Sequence, residues 1–131
     1  MRTSELITSA IHKYKCTDLN GHNLNALVIL RKNLVSHCYD FGREVSQYKI
    51  DFDSAYGRRK IAFYREKNEC IDQGVSKAET IAETRISELR ENEKLLEGLY
   101  SGSKIILTQA NEVLKAMQQD IAMLKSELKE G

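Results

Sequence analysis

Apolar residues along this chain recur in steps of three and four, the spacing that lines one face of a helix. Leu6, Ile7, Ala10, Ile11 and Tyr14 share a face and predict a short helix over 3–15, which Thr3 or Ser4 can cap. Cys16-Thr-Asp-Leu-Asn-Gly-His-Asn23 then gathers turn formers, among them the Asn20-Gly21 pair, and reads as a loop. From 23 to 72 no strong stop signal occurs. Leu27, Leu30, Leu34, Cys38, Phe41, Val45, Tyr48, Phe52 and Ala55 mark one stripe, with steps alternating four and three from Leu34 onward, as in the seam of a coiled coil. Tyr56, Phe63 and Cys70, with Ala62 beside them, continue it at sevens.

Asp72-Gln-Gly-Val-Ser-Lys-Ala-Glu79 is the clearest punctuation in the chain. Gly74 suits a left-handed helix end, Ser76 with Glu79 matches a capping box, and Val75 adds a hydrophobic staple. A stop and a start this close predict a tight turn between antiparallel helices. The next stripe, Ala82, Leu89, Asn92, Leu96, Leu99, Ser103, Ile106, Ala110, Val113, Met117, Ile121, Leu124 and Leu128, predicts a helix over 77–129. Gly98 and Gly102, with Ser101 and Ser103, are expected to bend it. The fold expected is all-α: a long antiparallel coiled-coil hairpin with a short N-terminal helix, in a single domain over 1–131. Two helices of about 50 residues, each about 75 Å long, bury little surface alone, so self-association into an oligomer is expected.

Composition supports the helices and narrows the functions. The chain has 131 residues, no proline to end helices and 30% charged residues, which fits helices that each bury a narrow stripe. The net charge of +1 makes the whole chain no general polyanion binder. No apolar run approaches the length of a bilayer span, and the N-terminus lacks the apolar core of a signal peptide. Cys16, Cys38 and Cys70 are odd in number and widely spaced, which argues for reduced thiols in a cytoplasm.

Candidate chemistry is sparse. Arg58, Arg59 and Lys60, with Arg65 and Lys67 beyond and Tyr56, Phe63 and Tyr64 interleaved, are candidates for nucleic-acid contact. A fold at 74–75 instead sets residues 58–67 opposite 82–91, where Glu83, Glu88 and Glu91 stand, with Glu79 and Glu93 just outside. Charges facing one another there would fix helix register. The two roles are compatible, because Arg58, Arg59 and Lys60 cannot all point one way. His12 and Cys16 can share a helix face but lack the further ligands of a zinc site. Asp51/Asp53 and Glu91/Glu93 stand two apart, on different sides of a helix, and make poor acid–base pairs. Asn92 and Ser103 within the stripe read as register-fixing polar residues. No catalytic motif occurs, and neither a metal nor a cofactor is expected.

Ser54-Ala-Tyr-Gly-Arg-Arg-Lys60, Gly74-Val-Ser-Lys-Ala-Glu79 and Ala82-Glu-Thr-Arg85 resemble segments of small helical coiled-coil proteins of unknown function encoded by tailed bacteriophages. The likeness covers residues 45–130. It implies a phage origin and a helical hairpin, in proteins often encoded near replication and recombination genes, and it carries over no active site; the place of action expected is the host cytoplasm. The function expected is a non-enzymatic, self-associating interaction protein. The alternatives are a nucleic-acid-binding accessory to phage recombination or replication, and a virion assembly or scaffolding component.

Overall fold

The computed structural model describes residues 2–130 and is all-helical, without a strand among them. Helix α1 spans Thr3–Lys15, α2 Leu24–Glu69, α3 Val75–Arg85 and α4 Ser87–Glu130, with short 3₁₀ turns at Gly21–Asn23 and Ile71–Gln73. The chain divides into two compact units, Met1–Glu44 with Ser103–Gly131 and Val45–Gly102.

In the first unit α1 begins at Thr3, and its cap lies one residue before the expected Thr3 or Ser4. Arg2 is the N-cap, and its backbone N–H donates to the Glu5 carboxylate at 3.2 Å, so Thr3 and Ser4 lie inside the first turn. Ile7 and Ala10 form the buried face of α1. The loop that follows is tied by side chains: Asn20 Oδ1 accepts from the His22 N–H at 3.0 Å, and Asn23 Nδ2 donates to the Asp18 carbonyl at 2.9 Å. Gly21 is a close-approach residue, since a Cβ there would lie 3.1 Å from Leu128. Leu27 of α2 packs with Ile121 and Leu124 of α4 as a buried cluster, against which Tyr14, Leu24 and Val28 rest. The Tyr14 hydroxyl donates a short hydrogen bond to Asp120 and so ties α1 to α4.

In the second unit α2 ends at Glu69, and the 3₁₀ turn leads into Gly74 at φ 98°, ψ 149°. That conformation is positive in φ but extended in ψ, a region open in practice only to glycine, and not the compact left-handed cap expected. The expected capping box is absent. Gly74 is itself the N-cap, no side chain caps the helix, and Ser76 lies inside α3. The first helical bond runs from the Ala78 N–H to the Gly74 carbonyl at 2.9 Å. The staple residue Val75 is exposed.

The helix expected over 77–129 breaks at Ile86, not at the glycines. Ile86 adopts φ −101°, ψ 12°, while Gly98 and Gly102 sit within uninterrupted α4. Hydrogen bonds from Ile86 N–H to Ala82 carbonyl and from Arg90 N–H to Ile86 carbonyl, at 3.0 and 3.1 Å, carry the helical ladder past the distortion. The Ile86 side chain is buried, so packing holds the irregular residue in place.

Candidate functional site

The basic segment of α2 lies in the second unit, and helical geometry divides its cations. The buried stripe of α2 runs on from Ala55 through Ala62 to Cys70, while Tyr56 is 44% exposed and Phe63 half-buried. A step of four from Ala55 lands on Arg59, and a further three reaches Ala62. The stripe therefore runs through Arg59, and Tyr56 lies outside it. On the other side Glu93 is buried, whereas the apolar residues assigned to the stripe at Leu89 and Leu99, with Asn92, are exposed.

Arg59 and Glu93 meet as a fork. Arg59 Nε donates to Glu93 Oε2 at 2.7 Å and Nη2 to Oε1 at 2.9 Å, with side-chain exposures of 15% and 11%. Both carboxylate oxygens are thus satisfied in a site that water barely reaches. The hydrogen bond from Arg59 holds the Glu93 carboxyl below the usual carboxylate range against the opposing effect of burial. The Arg59 guanidinium also lies 4.9 Å from the centre of the Tyr56 ring, so the aromatic residue beside the basic run covers a cation of its own chain. Phe52 and Tyr100 stack nearby, with ring centres 6.4 Å apart.

Further ion pairs surround this fork. Lys67 Nζ lies 3.1 Å from Glu79 of α3, so Glu79 serves an ion pair and not a capping box. Arg85 reaches Glu66 at 2.9 Å and Glu69 at 3.5 Å. Arg90 grips Glu83 with two bonds of 2.5 Å, joining α4 to α3 across Ile86, and the Arg90 hydrogen bond lowers the Glu83 carboxyl. Of the acidic residues expected opposite the basic run, Glu79 and Glu93 engage it, Glu83 is taken by Arg90, and Glu88 and Glu91 are exposed.

Arg58, Lys60 and Arg65 remain exposed, with no ion pair among the described residues; the Lys60 ammonium lies 5.8 Å from the Tyr56 ring centre. Arg58 and Arg65, seven apart, lie along one edge of the buried stripe, Arg58 standing three residues after Ala55 and four before Ala62, and both are exposed. The five candidate residues thus fall into two sets: Arg59 and Lys67 bound within the unit, and Arg58, Lys60 and Arg65 turned outward.

Elsewhere the polar residues do not converge. His12 Nε2 lies 3.7 Å from Cys16 Sγ, and no group of three or more His, Cys, Asp or Glu is placed to hold a metal among the described residues. The three cysteines are free thiols, and burial raises the Cys38 thiol. Asp51 accepts a hydrogen bond from Gln47, and Asp53 is exposed. No described helix is long and apolar enough to cross a membrane. Sequence reasoning missed Arg59 and Glu93 as stripe residues; the signal that could have found them is the four–three phase counted on from Ala55. Compared with known protein families, curated proteins and solved structures, the chain matches none.

Proposed function

We propose that the chain is an antiparallel helical hairpin that acts by helix-to-helix contact and associates with further copies of itself. The carrying observation is the outward face of α2 in the second unit, where Ile50 and Ile61 are 60% and 68% exposed and Tyr64 lies beside them. These residues stand opposite the buried stripe, at steps of eleven and three, and Gly57 between them allows a neighbouring helix close approach. On α4 the exposed Leu95 and Leu99 flank Gly98 and Gly102, a second apolar strip with small residues four apart. The pairings of Phe52 with Tyr100 and Arg59 with Glu93 support the antiparallel arrangement, since partner numbers fall in α4 as they rise in α2. The resemblance to helical proteins of tailed phages supports a phage-encoded protein working in the host cytoplasm. Light scattering on the eluting protein is expected to give a multiple of the 15.0 kDa chain mass. Ile61→Glu combined with Leu95→Glu should return it to monomer with its helicity intact. A strict monomer at micromolar concentration would refute the reading.

A second reading rests on Arg58, Lys60 and Arg65, which remain outward beside Tyr56 and Tyr64: an accessory surface for nucleic acid. Charge reversal at these three positions should then abolish salt-sensitive binding of single- or double-stranded DNA while thermal stability stays unchanged. DNA binding that survives the triple reversal would overturn it.

A further inference from the structure

In the first unit Arg31 and Lys32 of α2 and Lys125 of α4 border a groove of about 410 Å³ whose floor is Val28, Ile121 and Ala122. Cavities of roughly 300–1,000 Å³ with apolar walls and a few placed polar groups are the usual setting for small-molecule binding. Only Gln118 joins the lining besides these residues, so the groove holds three cations and no carboxylate. Nor do the neighbouring helix turns supply one. Three and four residues to either side of each cation stand only Leu, Val, Ile, Ala, Ser or Lys. Between Asp18 and Asp40 the chain has no acidic residue at all. Between Glu112 and Glu127 it has only Asp120, which receives the Tyr14 hydrogen bond.

This differs from the second unit, where Arg59, Lys67, Arg85 and Arg90 each face a carboxylate within 4 Å. The whole chain has 20 cationic and 19 acidic residues, so the excess around the groove is local and does not follow from bulk composition. Arg31 is steadied by a long hydrogen bond of 3.5 Å from its Nε to the Leu114 carbonyl, which sets its guanidinium beside α4. Three cations around an apolar floor give a positive potential over a surface that water wets poorly.

We infer that this groove binds an amphipathic anion, a ligand with an apolar body and a carboxylate, sulfonate or phosphate head. The body lies on Val28, Ile121 and Ala122, and the head meets Arg31, Lys32 and Lys125. A second copy related by a two-fold axis through the groove does not fit, because it would set the three cations against their own duplicates.

The test titrates the intact chain with 1-anilinonaphthalene-8-sulfonate and with its uncharged parent, N-phenyl-1-naphthylamine, following probe fluorescence. The sulfonate should bind about tenfold or more tightly than the neutral parent, as charge recognition requires. Lys32→Glu with Lys125→Glu should weaken the sulfonate by about tenfold or more, whereas Lys115→Glu, a single reversal outside the lining, should leave it within about twofold. Lys32→Gln with Lys125→Gln, checked for helicity by circular dichroism, gives the same loss should the double reversal disturb the fold. Equal binding of the neutral parent, or equal weakening by Lys115→Glu, would overturn the inference. Displacement of the probe by sodium sulfate at matched ionic strength would reduce the groove to an anion site and also overturn it. A glutamate-rich helical peptide that binds while neither naphthalene probe does would assign the groove to a protein partner instead.

Discussion

Replacing Glu93 with glutamine tests whether the charged pair inside the buried stripe holds the second unit together. Glu93→Gln keeps the shape of the side chain and leaves Arg59 with half its fork, facing an amide that can offer one acceptor. The two bonds of 2.7 and 2.9 Å and side-chain exposures of 15% and 11% place the pair near the buried limit. Breaking a fully buried pair by removing one partner costs about 3–5 kcal/mol, and a surface pair is worth about 0–1 kcal/mol. The contact of Arg59 with Tyr56 survives the change and offsets part of the loss, so a cost of about 2–3 kcal/mol is expected. For a chain of this size that is a fall in Tm of about 10 °C.

Urea denaturation at one fixed protein concentration should measure it, with Arg59→Met and the combination of Arg59→Met and Glu93→Gln completing a mutant cycle. Arg59→Met with Glu93→Leu converts both stripe positions to apolar residues and should recover most of the stability or exceed it, since the desolvation cost of the pair disappears. The pH dependence has a definite sign. Arg59 lowers the Glu93 carboxyl in the folded state, so its contribution is fully present above the unfolded carboxylate pKa near 4.3 and is lost as pH falls through the lower folded value. The wild type should therefore lose this stability in acid, and Glu93→Gln should lack that component. A coupling energy under about 0.5 kcal/mol, or an apolar double variant as unstable as the singles, would refute the assignment of Arg59 and Glu93 to the buried stripe.

Tyr14, whose hydroxyl is pushed up to about 12 chiefly by burial and then by the bond to Asp120, should titrate near that value in ultraviolet absorbance, and Asp120→Asn should bring it down. Because the folded value is raised, the stability it carries is present below pH 10 and lost as pH rises toward 12; a Tyr14 signal at the ordinary 10 would refute both its burial and its bond to Asp120. Tyr14→Phe leaves part-buried Asp120 without its donor and should cost about 1–3 kcal/mol by denaturant titration. Gly74→Ala forces a side chain into φ 98° and should destabilise by about 1–3 kcal/mol. Gly57→Ala, where an added Cβ meets nothing within 4 Å, should instead raise the stability of dilute protein by about 0.5–1 kcal/mol. Equal effects at the two glycines would refute that distinction.

The stripe was legible where large apolar residues fill it. Leu27, Leu34, Cys38, Phe41 and Val45 are buried at the spacing the sequence displays, and Met117, Ile121 and Leu124 likewise. It became illegible where the chain places charge on the buried face. A charge in a helix reads as solvated, so Arg59 and Glu93 were passed over for the apolar neighbours Tyr56 and Leu89, which face outward. Position decides burial there, and a forked ion pair can satisfy its own polar groups well enough to occupy it.

The backbone breaks show the same limit. Gly98 and Gly102 each cost a helix about 1 kcal/mol relative to alanine, too little to end one held by packing along its length. Ile86 has no local signal, being neither glycine nor proline, yet the helix is irregular there. Its side chain and those of Ala78 and Ala82 before it are buried, while Glu83 and Arg90 clasp across the same residue. Those contacts join residues on either side of the break, so they act as tertiary constraints to which a propensity reading is blind. Gly74 differs because only a residue without Cβ takes its conformation readily, so residue identity alone marks the turn. What the sequence shows plainly is thus what one residue type enforces by itself, and what it hides is what two residues enforce together.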